Sequence, residues 1–149
     1  CFTSNYKRYV ITGTDCRPVT ANTHLYFQYR DASGLNTSTY NSTFWVVYAN
    51  GYAGSSFNDD QDIALVLGNI GTINNEVGHF VSFVDPITTN TPKFLSYRSV
   101  QQLSGGVKAT SYITGTVAYN DATVMTGIKW YWSSGTFESG TIKIYGVND

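Results

Sequence analysis

Three kinds of side chain in this sequence could do chemistry: clustered carboxylates, two histidines and a surplus of aromatic rings. The run Asn58-Asp59-Asp60-Gln61-Asp62 stands just ahead of an apolar stretch. Ca²⁺ takes about six to eight oxygen ligands, which makes Asp59, Asp60 and Asp62 the candidate ligands for a cation site. The run lacks the glycine and distal glutamate of a helix-loop-helix calcium loop. A polar turn that starts a strand, with Asp capping backbone amides, is the plainer reading.

Hydrolytic chemistry has little to work with. Glu76 and Glu138 are the only glutamates, and a glycosidase needs two carboxylates flanking its bond. Each lies in a turn-like segment, where a solvated loop residue is expected. A nucleophile triad would have to recruit His24 or His79, and no Gly-x-Ser-x-Gly elbow accompanies them. No Gly-rich loop with a Lys offers a phosphate cradle. Two Cys and two distant His do not make the paired spacing of a zinc site. Cys1 and Cys16 could close a loop worth about 3 kcal/mol in an oxidising compartment, or stay free. The expectation is a protein without catalytic residues.

The rings need another explanation. With 12 Tyr, 8 Phe and 3 Trp, aromatic residues make up 15% of the chain. They can fill a core, stack on a sugar or line a subunit interface. Trp45, Trp130 and Trp132 fall inside strand-like runs, which favours core or interface. Tyr40, Tyr48, Tyr52, Tyr119 and Tyr131 fall near strand ends or opposite a core stripe. Of these, Tyr48, Tyr52, Tyr119 and Tyr131 are the candidate contacts with a glycan or a partner, because tyrosine adds area at low entropy cost and keeps a polar tip.

The elements that must position these residues are strands. Thr, Ser, Asn and Gly interrupt every window long enough for three helical turns, and Ala and Glu are scarce. In His24 to Arg30, Leu25, Phe27 and Tyr29 alternate with polar neighbours, the period of two that sets one face on a core. In Val124 to Trp132, Val124, Thr126, Ile128, Trp130 and Trp132 share a face and Met125, Gly127, Lys129 and Tyr131 the other. Further runs are Tyr9 to Thr12, Phe44 to Tyr48, Asp62 to Leu67, His79 to Val84, Lys93 to Arg98, Ser111 to Ala118 and Thr141 to Val147. Turn clusters such as Asp31-Ala32-Ser33-Gly34, Ala49-Asn50-Gly51, Asn69-Ile70-Gly71 and Ser133-Ser134-Gly135 separate them. About nine short strands without crossover helices imply an all-β fold, an antiparallel β-sandwich of jelly-roll-like kind. An immunoglobulin-like sandwich is second, since no Cys pair brackets a Trp. Phe44 to Tyr48 and Phe80 to Val84 are apolar on both faces, so they should lie centrally or be covered by another subunit.

Length and charge bound the rest. The 149 residues suit a single domain, 1–149, here expected to be the C-terminal part of a longer chain. Nine basic against ten acidic residues give a net charge of -1, and charged residues are only 13% of the chain. No field of that size gathers nucleic acid or an anionic membrane, and no run is apolar enough for a membrane helix.

The closing segment, Phe137-Glu138-Ser139-Gly140-Thr141-Ile142-Lys143-Ile144-Tyr145-Gly146-Val147, resembles the C-terminal signature of many bacteriophage structural proteins, where Ser-Gly-Thr leads into a last strand ending Ile-Tyr-Gly-Val. The opening Phe2, Tyr6, Tyr9 and Ile11 is similar to the first strand of such domains. Together the two ends cover about a quarter of the chain. The resemblance implies a β-sandwich of a tail fibre, head fibre or capsid decoration, displayed on the virion surface and often a homotrimer. It implies no catalytic residue. Within the last strand, Ile142 and Ile144 should face inward and Thr141, Lys143 and Tyr145 outward, with Gly140 and Gly146 bracketing the strand at bends. The expected function is therefore a non-enzymatic virion domain that attaches to a host-surface glycan or protein, or contacts other virion proteins. A secreted carbohydrate-binding module working as a monomer has the same composition and is the alternative. A small hydrolase comes third.

Overall fold

The structure is a computed structural model that describes residues 1–36, 40–48, 51, 53–61, 64–70, 76–86, 93–102 and 110–148, with backbone alone over 55–61 and 64–69. Its elements are β1 (Arg8–Pro18), β2 (Thr23–Arg30), β3 (Tyr40–Tyr48), β4 (Ala53–Gln61), β5 (Ala64–Ile70), β6 (Gly78–Val84), β7 (Lys93–Gln102), β8 (Thr110–Tyr119), β9 (Gly127–Trp132) and β10 (Phe137–Val147). Every described pairing is antiparallel. The fold is an all-β sandwich. One sheet has seven strands in the order β10-β1-β6-β7-β8-β3-β4, and the other has three, β5-β2-β9.

Pairing runs inward from the two ends of the chain: β1 with β10, β2 with β9, β3 with β8. This nesting is what folding one long hairpin over itself produces, and it gives the sandwich its jelly-roll-like character. Each of the nine expected strands overlaps an observed one, but β9 begins only at Gly127: ahead of it Val124, expected inward, is exposed, and Met125 is buried, its amide bonded to the Pro86 carbonyl outside the ladder. The addition is β4, which takes in the polar run 58–61 expected to be a turn. Its backbone pairs with β3 through Ser42–Asn58 and Tyr40–Gln61, and an edge strand tolerates polar side chains that a central one would not. Asn69 and Ile70 likewise close β5 and do not turn.

The core lies between the sheets. Leu25, Phe27 and Tyr29 of β2 are fully buried, with Trp132 of β9 at 4% exposure and Trp130 packed against them. They meet Tyr9, Ile11, Phe80, Leu95, Tyr97, Ile113, Val117, Tyr119 and Tyr40 of the large sheet. Phe27 stands edge-on to Tyr40 at 6.1 Å, and Trp130 stacks on Phe80 at 4.7 Å. Two rings lie across glycines on neighbouring strands. A Cβ on Gly13 would come within 2.1 Å of Phe80, and one on Gly115 within 2.6 Å of Tyr97. Glycine there leaves the room that each inward ring fills.

The ends of the chain depart from expectation in two ways. β10 runs through Gly140 and Gly146 instead of stopping at them, and as an edge strand it leaves Ile144 at 36% exposure, although Ile142 packs on the core. Gly140, with φ 135°, sits opposite an irregularity in β1 between Thr14 and Arg17, where Asp15 has φ 53°. Cys1 is exposed, Cys16 is buried and both are free; burial pushes the Cys16 thiol up to about 11.

Candidate functional site: the outer faces of the two sheets

Alternation along the strands places the candidate residues, and it does not collect them in one place. Tyr119 is 2% exposed and its ring packs on Tyr29 and Tyr40 at 5.6 and 5.0 Å, so the expected surface contact is a core residue. Its strand end is closed by the chain that follows: Lys93, itself fully buried, donates to the Asp121 carbonyl, and the Tyr119 hydroxyl donates to the Asp121 carboxylate at 3.3 Å. The Thr123 amide and hydroxyl bond the same carboxylate and hold it below its ordinary range. Tyr48 is half-buried and shares a register row with Ser111, Gln101 and Gly78 on the inner side of the large sheet. Tyr131 is half-buried on the outer face of the small sheet. Tyr52 and Asp62 lie outside the described residues, as do the side chains of Asp59 and Asp60 on β4.

The remaining catalytic candidates are equally dispersed. His24 lies on the outer face of the small sheet and His79 on the outer face of the large one, with both sheets between them. Glu138 is exposed and 4.0 Å from Arg17, while Glu76 is buried just ahead of β6. Strand β1 lies between β10, which carries Glu138, and β6, which follows Glu76.

What the fold does bring together is the outer face of the seven-stranded sheet. Register carries four rows across it: His79–Val100–Tyr112–Val47; Thr12–Val81–Arg98–Thr114–Trp45; Val10–Phe83–Ser96–Thr116–Thr43; and Arg8 with Phe94–Ala118–Asn41. Trp45 (47%), Phe83 (45%), Phe94 (53%) and Val100 (45%) are open to solvent, and Val47, Tyr112 and Tyr145 are exposed with them. Trp45, expected in core or interface, is therefore not in the core of this chain. A hollow of about 310 Å³ lies between Thr12, His79, Val81, Arg98, Val100 and Tyr112. A second of about 330 Å³ lies between Phe83, Ser96, Arg98 and Thr114. The Arg98 guanidinium, between the two hollows, has no ion-pair or hydrogen-bond partner among the described residues. At one end Arg8 and Asp85 pair at 2.9 Å.

The outer face of the three-stranded sheet is different. His24, Tyr26, Gln28 and Arg30 of β2 lie beside Lys129 and Tyr131 of β9. Tyr26 and Tyr131 are ring neighbours at 6.0 Å, and the Lys129 ammonium stands 4.9 Å from the Tyr131 centroid. Partial burial lowers the His24 pKa and raises that of Tyr26. Among the described residues of β2 and β9 no large hydrophobic is exposed.

Searches of protein families, curated proteins and solved structures return no match to this chain.

The broad apolar face carried no local signal of its own. Phe83 lies on β6, Phe94 and Val100 on β7 and Tyr112 on β8, and pairing register sets the three strands' outward residues side by side. The readable trace was the pair of runs apolar on both faces, Phe44 to Tyr48 and Phe80 to Val84, which implied either a central position or a cover on the second side.

Proposed function

We propose that this domain works by contact and not by turnover: a bacteriophage-type virion structural domain, displayed on the virion surface as a homotrimer and binding other virion proteins or a host-surface glycan or protein. The observation that carries the reading is the outer face of the seven-stranded sheet, where exposed Trp45, Phe83, Phe94, Val100 and Tyr112 lie among threonines. Such a face suits a rigid partner surface, because apolar burial supplies affinity and flat strands lose little entropy on docking. The resemblance of the Ser-Gly-Thr-Ile-x-Ile-Tyr-Gly ending to virion proteins adds the biological setting. A calcium ion at Asp59, Asp60 and Asp62 belongs to the same proposal.

A second reading, a carbohydrate-binding module acting as a monomer, draws on the Tyr26–Tyr131 pair with Lys129 beside it. Rings with polar tips next to a cation are suited to sugar stacking and hydroxyl contacts.

Retention of labelled chain on intact bacterial cells and on a glycan array, run with and without a calcium chelator, tests both. Saturable retention on cells without release of a cleaved product supports the first reading. Retention on glycans by a species of 16.4 kDa supports the second. Catalytic release of sugar or peptide would overturn both.

A further inference from the structure

One side-chain row on the outer face of the large sheet sets an unpaired cation beside an open ring. Register aligns Lys143 of β10, Thr12 of β1, Val81 of β6, Arg98 of β7, Thr114 of β8 and Trp45 of β3. Arg98 and Trp45 are therefore two strand spacings apart, about 10 Å, with Thr114 between them. The hollow of about 330 Å³ beside Arg98 and Ser96 adjoins one of about 260 Å³ beside Trp45 and Thr43, and the two share Thr114 and Thr116. Together they make a shallow trough from guanidinium to indole. We propose that this trough binds an acidic saccharide, its carboxylate paired with Arg98 and a sugar ring laid on Trp45. The inference rests on the contact reading above and names the ligand.

Charge selects an anion. Asp85 is taken up by Arg8 at 2.9 Å, and Asp15 stands against His79 at 3.7 Å. Arg98 and Lys143 are left in one row, with no carboxylate paired to either among the described residues. The guanidinium is a fixed fork of donors that matches a carboxylate at two points. The rest of the trough suits a ligand rich in hydroxyls: Ser96, Thr114 and Thr116 can exchange hydrogen bonds with it, and the exposed indole takes the C–H side of a sugar ring. An acidic peptide fits less well. Extended peptides bind by adding a strand to an open sheet edge, whereas β7 and β8 are interior strands with a neighbour on each side. Two cations three strands apart are also too few to hold a nucleic-acid backbone.

Calorimetric titration of the full chain with oligogalacturonate and sialyllactose, with their neutral counterparts galacturonate methyl ester and lactose, and with polyglutamate tests this. The expected result is saturable binding of at least one acidic sugar, weakened by salt and lost in its neutral counterpart. Arg98→Gln should weaken it about ten-fold, the worth of one charge-assisted contact, and Trp45→Ala should weaken it further. Arg30→Gln removes the same charge from the other outer face and should leave binding intact. Arg98, Trp45 and Arg30 are exposed, so circular dichroism should match the parent in each variant. Binding of neither acid, equal binding of acid and neutral sugar, preference for polyglutamate, or indifference to Arg98→Gln overturns the inference. Loss at Lys129→Gln in place of Arg98→Gln puts the sugar on the small sheet and overturns it as well. Retention on bacterial cells is read alongside. Retention that persists in Arg98→Gln keeps the contact reading and overturns this ligand, whereas acidic-sugar binding by a chain that no cell retains keeps the trough and overturns attachment.

Discussion

The two outer faces of this sandwich are made of the same kind of antiparallel strand and carry opposite surfaces. On the large sheet, β7 alternates inward Leu95, Tyr97 and Ser99 with outward Ser96, Arg98 and Val100, and the outward set joins Trp45, Phe83 and Tyr112 in one open apolar field. On the small sheet, β2 alternates inward Leu25, Phe27 and Tyr29 with outward His24, Tyr26, Gln28 and Arg30. Strands β2 and β9 of the small sheet therefore show the hydrophobic-in, polar-out pattern of strands that face water. The large sheet resembles one covered on both sides. The difference teaches that strand alternation alone does not make an outer face a solvent face; what sits there implies the next layer.

The comparison depends first on the interior that separates the faces. Phe27→Ala, at a fully buried ring against Tyr29, Tyr40 and Trp130, should cost about 3–5 kcal/mol in denaturant unfolding. A loss under about 1 kcal/mol would mean that the two sheets are not held by this core. Gly115→Val comes next, because even a Cβ there meets the Tyr97 ring at 2.6 Å, and overpacking of this kind costs about 1–3 kcal/mol. Arg98→Leu, one residue from Tyr97 but on the outer face, should stay within about 0.5 kcal/mol for the monomer. Equal effects of Gly115→Val and Arg98→Leu on monomer stability would break the distinction between inner and outer sides of the sheet.

Titration separates interior from surface again. Burial raises Cys16 from 9.0 to about 11 and raises Tyr29, Tyr40 and Tyr97 in the same direction. The unfolded chain ionises first, so the stability these groups contribute is complete below about pH 9 and declines as pH rises toward 11. Cys16→Ala should make that alkaline decline shallower in thermal melts scanned across pH 8 to about 11. His24, on the small outer face, has a pKa lowered from 6.5 by burial. Its contribution is complete above 6.5 and falls as pH drops below it, and His24→Gln should remove that acid slope. An unchanged slope in the variant would take His24 out of the account. The smallest effect is expected at Lys129→Ala, where loss of the contact with the Tyr131 ring should cost about 0.5 kcal/mol.

Much of the fold was legible because it is written in a period of two. Leu25, Phe27 and Tyr29 face the core as read, and so do Ile128, Trp130 and Trp132, whereas Val124 and Thr126, read onto the same face, lie ahead of β9 and are exposed. The polar strand β4 was not legible, because Asn58 to Gln61 carry no apolar alternation and are held in register by the β3 backbone. The tyrosines were read least well. Tyr119 ends its strand in a way that suggests a rim, yet Lys93 and Asp121 fold over that end and bury it.

The sequence by itself determined the all-β class, the rough strand positions and the near-zero net charge. These follow from composition and local periodicity, which do not depend on which strand pairs with which. Only the tertiary structure decided that Trp45, Phe83, Phe94, Val100 and Tyr112 form one field and that His24 and His79 lie on opposite faces. The physical reason is register: antiparallel pairing brings distant segments side by side, and a slip of one residue would send each of these side chains to the other face.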